Sequence, residues 1–249
     1  MGFGIAYSVT MGNARAFISG ISKNLTRASF YCLRTTLKTT NMNKKDYIDF
    51  EPSVAEADHY WKQWLTKDSY VYAEDALGRL FKAQNKDYLD ASDLMIKCST
   101  LNDFYSTRIF AVYNVVKHYL EVKDLKGRLA KGDLSLVEDL RKVNVTKKDN
   151  TTTDKDFYSF ATKFCAHHNP EAFPIYDSYV DRMLRELRNR DGMICFCNAD
   201  LKDYQKFVDI IQKMKKAYGI EELSFRRVDI MLWLAGKEYF KKEEEKPLK

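Results

Sequence analysis

Turn-forming residues are scarce in this chain. Only 10 glycines and 4 prolines are spread over 249 residues, and few stretches alternate strictly between apolar and polar residues. Sheets joined by tight turns depend on both features. Apolar side chains instead recur at the 3.6-residue spacing that is typical of helices packed on a core. We therefore predict an all-α fold.

Long apolar runs and cysteine pairs are also lacking. No run approaches the ~18 apolar residues of a membrane-spanning helix, so no membrane partner is expected. The five cysteines are odd in number, and the chain has no clear secretory signal, which predicts reduced thiols in the cytoplasm. Cys195-Phe196-Cys197 lacks the two-residue gap of a zinc knuckle, and no second pair lies nearby. Neither a metal nor a cofactor is predicted.

Acidic residues are absent from the first 45 positions, which carry seven Lys and Arg, whereas the remainder holds 34 basic and 35 acidic residues. The net charge of +6 therefore does not by itself indicate nucleic-acid binding. Residues 1–41 have the composition of a transit peptide, although they could equally be a flexible basic arm. We favour a third interpretation, a misassigned start upstream of Met42. The predicted domain is residues 42–249, with 1–41 outside the fold.

The segment from Ser159 to Val180 holds the most informative pattern. Lys163 sits at the margin of an apolar helical stripe, where partial desolvation lowers an amine pKa and favours nucleophilicity. Asn169-Pro170 ends that helix, and Asp177 stands where the next helix begins. A short reversal is thus expected to bring Lys163 and Asp177 together. The ordinary alternative is a surface lysine and a simple N-cap. The stripe itself consists of Phe157, Phe160, Ala161, Phe164 and Cys165.

This segment resembles the lysine-and-aspartate signature of the helix-hairpin-helix DNA glycosylases, and most closely their 8-oxoguanine glycosylase branch. That branch carries Gly-Val-Gly-Thr-Lys followed by Pro-Val-Asp, where this chain has Ser-Phe-Ala-Thr-Lys ending at Lys163 and Pro-Ile-Tyr-Asp ending at Asp177. The resemblance implies a two-lobed helical bundle. It also implies that Lys163 attacks the sugar of a flipped nucleotide while Asp177 assists departure of the base.

The same resemblance implies a base pocket and a DNA-contacting surface. Asp229 and Trp233 stand four residues apart on the last predicted helix, the spacing at which that branch holds the extruded base, and His167 follows the lysine by four. Simple core packing is the alternative for Trp233. Asn102, Tyr105 and Arg108 match, loosely, a polar loop that fills the gap left by the base, although a polar helix cap is the structural alternative. Further expected DNA contacts are Thr162 and Arg182; Arg182 is one of four closely spaced arginines that could follow phosphates or simply face solvent.

The resemblance therefore implies an enzyme, a DNA N-glycosylase with an associated abasic-site lyase step, and we expect it to act as a monomer on duplex DNA in a bacterial cytoplasm. A hypermodified cytosine in phage DNA is the first candidate base, because the chain also resembles bacterial anti-phage (Brig-type) glycosylases. Repair of 8-oxoguanine is the alternative substrate. A non-catalytic helical domain that binds DNA or protein is the alternative from a different functional class.

Overall fold

The computed structural model describes residues 48–82, 89–146 and 150–244, and this part of the chain is mostly helical, as predicted. The predicted extension at residues 1–41 lies outside the described residues. The helices within these ranges are α1 (Val54–Leu65), α2 (Asp68–Lys82), α3 (Ala91–Phe104), α4 (Val112–Glu121), α5 (Leu125–Lys131), α6 (Leu136–Arg141), α7 (Tyr158–His168), α8 (Ser178–Asp191), α9 (Tyr204–Ala217) and α10 (Phe225–Glu244), with a 3-10 helix at Asn198–Lys202.

Side-chain caps define several of the helix starts. Asp177 accepts a hydrogen bond from the backbone N–H of Tyr179 at the start of α8, as the sequence predicts, and Ser53 caps α1 in the same way. The sequence favours Asn198 as the cap of the following helix, but the cap of α9 is Asp203, and Asn198 lies in the 3-10 helix. These carboxylates and hydroxyls satisfy first-turn N–H groups that have no partner within the helix.

Residues 142–156 depart from the predicted all-α fold. An exposed linker is expected between 144 and 154, but Lys142–Thr146 (β1) pairs antiparallel with Thr152–Asp156 (β2). Val143 is fully buried, and the buried Arg141 side chain donates to Asp156 and to the carbonyl oxygen of Lys202. The hairpin is thus fastened to the body by an arginine just before it, a contact distant in sequence.

The buried apolar side chains form one continuous cluster that runs from Phe50 to Phe240. Helix α7 lies within it, in contact with α2, α3, α5 and α6. Helix α10 packs against α1 and α8, and a Cβ atom added at Gly236 would come within 2.8 Å of the Tyr179 Cβ. Glycine therefore allows α10 to approach α8 closely beside the Asp177 cap. None of the helices in the described ranges is both long and apolar enough to cross a membrane.

Candidate functional site

The sequence predicts that Lys163 lies at the margin of a helical face. In the structure it lies in the interior of the protein. Its side chain is only 4% exposed, and α7 is buried from Phe160 to Ala166. An amphipathic pattern underestimates burial for a helix that is covered on several sides, because its polar positions are also enclosed.

The Lys163 amine has three oxygen neighbours. Its Nζ donates to Ser159 Oγ at 2.5 Å and to the carbonyl oxygen of Tyr176 at 3.4 Å, and it lies 3.6 Å from Asp177 Oδ2. The ring of Tyr105 covers it, with Nζ 5.2 Å from the ring centroid. The helix–loop–helix reversal therefore brings the side chains of Lys163 and Asp177 together, as the sequence predicts.

Burial lowers the pKa of Lys163, while the nearby carboxylates of Asp177 and Asp229 oppose that decrease. Removing an ammonium from water disfavours its charged form, whereas a close carboxylate favours it. The amine is thus held where deprotonation is easier than in water, beside a carboxylate able to exchange a proton with it.

Thr162 has a structural position rather than a surface one. Its side chain is completely buried; its Oγ1 donates to the carbonyl oxygen of Ser159 and accepts from the backbone N–H of Tyr176. The hydroxyl therefore ties α7 to the loop that carries Asp177. The expectation that Thr162 contacts DNA is wrong, because a fully buried side chain cannot reach a phosphate.

Asp229 and Trp233 line the same cavity as Lys163 and Asp177. Asp229 is 8% exposed, and burial raises the pKa of its carboxyl to about 6, against the opposing influence of Arg226 and Lys163. Trp233 is half-buried, with its ring centroid 6.0 Å from that of Trp64. The predicted i, i+4 pair therefore does meet the lysine in one concavity.

His167 lies apart from that group and lines a neighbouring cavity instead. Its Nε2 is 2.9 Å from the Tyr105 hydroxyl oxygen, and its ring packs on Phe81. Burial lowers the His167 pKa to about 4. The histidine thus contacts Tyr105, which forms part of the wall of the lysine cavity.

The two cavities are large and adjacent. The one beside Lys163 has a volume of about 770 Å³, and the one beside His167 about 830 Å³. Protein cavities that bind drug-sized ligands have volumes of about 300–1,000 Å³, and both cavities fall within that range. The residues that line both are Trp64, Glu74, Ile175, Arg226 and Asp229.

Of the five residues in this shared wall, the sequence prediction includes only Asp229, and the two other charged ones, Glu74 and Arg226, are missing from it. Arg226 Nε donates to one oxygen of Glu74 at 3.0 Å, and its Nη1 donates to Asp229 Oδ2 at 2.5 Å. The i, i+3 spacing of Arg226 and Asp229 is a sequence signal that could have revealed that pair. Glu74 is 152 positions from Arg226, and no local pattern connects them.

The predicted DNA-contacting loop is rearranged. Asn102 lies inside α3. Its Nδ2 donates to the Ile109 carbonyl oxygen, and its Oδ1 accepts from the Ile109 N–H and the Thr107 hydroxyl. Tyr105 is turned toward His167 and the lysine. Arg108 is exposed, and Phe110 is 100% exposed. Asn102 and Tyr105 are thus occupied within the protein, which contradicts their expected role as free gap-filling side chains.

The arginines of α8 bind within the protein rather than forming an open row. Arg182 lies over the Phe240 ring at 3.7 Å. Arg185 pairs with Asp181, Arg188 donates to the Phe196 carbonyl, and Arg190 pairs with Asp191. A phosphate ladder along this helix is therefore not supported. Among the described residues, no group of three or more His, Cys, Asp or Glu side chains is placed to hold a metal ion.

Comparison with known proteins gives a partial match. The family model HI_0787_N, described as an N-terminal domain, matches residues 56–172, a segment that includes all of α7 with Lys163 but ends before Asp177. An uncharacterized protein of Haemophilus influenzae is 44% identical over 143 residues. That alignment covers 57% of this chain and 66% of the relative. No solved structure matches the chain.

Proposed function

We propose that this protein is a DNA N-glycosylase that uses Lys163 as a covalent nucleophile on the sugar of an extruded nucleotide. The observation that carries the proposal is the buried Lys163 amine, 3.6 Å from the Asp177 carboxylate, at the wall of a cavity large enough for a base. An enzyme that acts on a base in duplex DNA must take that base out of the stack, and this requires such a cavity. The resemblance of the Lys163 and Asp177 segments to the helix-hairpin-helix glycosylases supports the proposal from the sequence side, and a two-lobed bundle is part of what we propose.

The two side chains divide the chemistry. The neutral Lys163 Nζ forms a bond to the anomeric carbon as the bond from that carbon to the base breaks, and the base leaves with the bonding electron pair and then takes up a proton. Asp177 accepts a proton from the attacking amine and stabilises the positive charge that develops on the sugar. Opening of the sugar ring leaves an imine between enzyme and DNA, from which a lyase step at the abasic site follows.

The size of the cavities favours a base with a substituent over 8-oxoguanine. An 8-oxoguanine base adds one oxygen to an ordinary base, whereas a second large cavity lies beside the first and shares five of its lining residues. Asp229 accepts hydrogen bonds when ionised, which suits a substrate that presents amino or hydroxyl donors. We therefore propose a hypermodified base, with cytosine as the parent, and keep 8-oxoguanine as the alternative.

The loop between α3 and α4 is the proposed contact with the gapped duplex. It begins at the cavity rim, which Phe104, Tyr105 and Ser106 line, and it presents Arg108 and the fully exposed Phe110 to solvent. An aromatic side chain that leaves its whole surface in water pays a hydration penalty, and stacking on an unstacked base recovers it. Arg108 adds a charge for the phosphate backbone.

Trapping the imine with borohydride on modified duplex DNA tests the proposal. Lys163→Gln removes the amine but keeps a donor for Ser159 and Tyr176, so we expect a folded protein that releases no base and forms no trapped adduct. Asp177→Asn keeps the α8 cap and should slow base release by about 10²-fold or more.

Lys97→Met is the matched control, because Lys97 is another fully buried lysine whose pKa burial lowers, to about 8, yet it lines neither cavity. It should retain the adduct. If Lys163→Gln released base at the wild-type rate, covalent catalysis by this lysine would be wrong. If wild-type protein bound duplex DNA but neither released a base nor formed an adduct on any hypermodified or oxidised substrate, the non-catalytic binding domain would be the better explanation.

A further inference from the structure

Arg226 occupies the boundary between the two cavities and lines both. Its guanidinium binds Glu74 through two N–H groups, Nε to one carboxylate oxygen at 3.0 Å and Nη2 to the other. The same guanidinium lies 5.0 Å from the ring centroid of Trp64. A planar guanidinium held by a two-point contact and an aromatic face has little rotational freedom. Glu74 on α2 therefore fixes the orientation of Arg226 on α10.

Besides Glu74 and Trp64, Arg226 interacts with Tyr105 and with the carboxylate of Asp229, which is proposed to bind the base. Its Nη1 donates to Asp229 Oδ2 at 2.5 Å, and no hydrogen bond among the described residues engages the second Asp229 oxygen. The side chain of Arg226 is 18% exposed, and that of Asp229 is 9% exposed. The contact is thus partly shielded from water, where a charge-assisted hydrogen bond is strong.

We propose that Arg226 is a positioning residue that keeps Asp229 ionised and aimed into the cavities, so that Asp229 offers the substrate an acceptor and not a hydroxyl donor. The consequence for the substrate rests on the proposed function. The effect of Arg226 on the ionisation of Asp229 is already present in the protein without substrate. The two hydrogen bonds from Arg226 to Glu74 then have a role: they hold the guanidinium at one oxygen of Asp229 and leave the other oxygen free to bind a ligand.

The charges around Asp229 come from four elements. Arg226 on its own helix and Lys163 on α7 lower the pKa of Asp229, while burial, Asp177 at the start of α8 and Glu74 on α2 raise it. Burial is the largest influence and leaves the pKa at about 6; Arg226 is the strongest opposing one. Loss of Arg226 should therefore raise the pKa further, so that Asp229 is protonated at neutral pH.

Carboxyl NMR of protein labelled with ¹³C-aspartate tests this without any substrate. The Asp229 resonance is assigned by its disappearance in Asp229→Asn. In Arg226→Gln the titration midpoint of Asp229 should move upward by about 1 to 3 pH units, the usual effect of one adjacent opposite charge. Arg226→Lys, which keeps the charge but loses the two-point contact with Glu74, should give a smaller upward shift.

Arg227→Gln is the matched control on the same helix. Arg227 pairs with Asp58 of α1, lies 5.0 Å from the Trp61 ring centroid and lines neither cavity. Its replacement should leave the Asp229 midpoint in place. If Arg226→Gln fails to fold, the double variant Glu74→Leu/Arg226→Met replaces the pair with apolar groups of similar size, an exchange that proteins often tolerate. It should still raise the midpoint, because Arg226 acts more strongly than Glu74 on Asp229.

An Asp229 midpoint that stays in place in folded Arg226→Gln or in the double variant would overturn the inference. A second readout concerns the reaction: the acid limb of the pH profile for borohydride trapping should move to higher pH in Arg226→Lys. The two failures are distinguishable. If wild-type protein forms no adduct, the proposed function is wrong, but the titration of Asp229 measured by NMR is unaffected. If wild-type protein forms the adduct but the Asp229 midpoint does not move in Arg226→Gln, only the proposed role of Arg226 is wrong.

Discussion

Two buried lysines show why a lowered pKa does not by itself identify a nucleophile. Burial lowers the pKa of both Lys97 and Lys163. Lys97 Nζ has no hydrogen-bond partner among the described residues and lies over the Phe81 ring, whereas Lys163 Nζ has oxygen partners and a cavity beside it. Only the second lysine combines an accessible neutral form with a proton acceptor and room for a substrate.

The burial of His167, beside the second cavity, predicts a pH dependence of stability. Burial holds its pKa at about 4, and that of its neighbour His168 well below the ordinary value. Between about pH 4 and 6.5 the unfolded chain binds protons at these positions that the folded protein does not, so their contribution to stability is lost as pH falls through that window. His167→Gln should therefore lose less stability than wild-type protein between pH 7 and 4.5, as measured by urea unfolding. His59→Gln, at an exposed position, should lose as much as wild type; equal losses in all three would show that His167 does not contribute to the acid sensitivity.

At the scale of single elements, the sequence predicts helices well and the hairpin poorly. Helices such as α1 and α8 carry local apolar spacing and a local cap, both visible in a short window. The hairpin offers only the short alternation of Lys142 to Thr146, and what fastens it is the contact of Arg141 with Lys202, 61 positions away. The same holds for the candidate site: the proximity of Lys163 and Asp177, which are close in sequence, can be predicted, whereas the contact of Glu74 with Arg226 cannot.

The loop between α3 and α4 carries a prediction about duplex DNA. Because Phe110 is fully exposed, Phe110→Ser should leave the thermal midpoint unchanged. Loss of one stacking aromatic should lower excision from duplex DNA by about tenfold or more, with a smaller effect on single-stranded substrate, which has no stack to open. Met193→Ser replaces another exposed apolar residue that lines neither cavity and should affect neither substrate. Equal losses on both substrates in Phe110→Ser would argue against a role in opening the stack.

Packing of α10 on α8 carries a second element-scale prediction. A larger side chain at Gly236 would collide with Tyr179, beside the Asp177 cap, whereas a Cβ at Gly78 of α2 would meet nothing within 4 Å. Gly236→Val should lower the thermal midpoint by several degrees and weaken base release, since overpacking costs about 1–3 kcal/mol and shifts the backbone. Gly78→Ala should raise the midpoint slightly, because alanine favours a helix by up to about 1 kcal/mol. If both variants melted like wild-type protein, the close approach of α8 and α10 would be incorrect.

At the scale of the whole molecule, the segment just before α1 closes the core. Phe50 is buried, with its ring against Tyr60 and Tyr239. The backbone around it is held as well, because the Arg190 side chain donates to the carbonyl oxygens of Ile48 and Phe50. These contacts join positions about 140 apart in sequence and bind the segment to the last turn of α8. The domain therefore begins structurally before its first helix, which a helix-based boundary would overlook.

The position of the N-terminal boundary can be tested with two truncated chains. A chain beginning at Met42 keeps Phe50 and the carbonyl partners of Arg190, so its thermal midpoint should equal that of the full chain if residues 1–41 are outside the fold, as their lack of a periodic apolar pattern predicts. A chain beginning at Pro52 loses a buried aromatic side chain, a change that costs about 3–5 kcal/mol in a core. For a domain of this size that corresponds to a decrease of roughly ten degrees in the midpoint, as measured by calorimetry. A decrease already present in the Met42 chain would place residues 1–41 inside the domain, and an undisturbed midpoint in the Pro52 chain would show that Phe50 does not help to close the core.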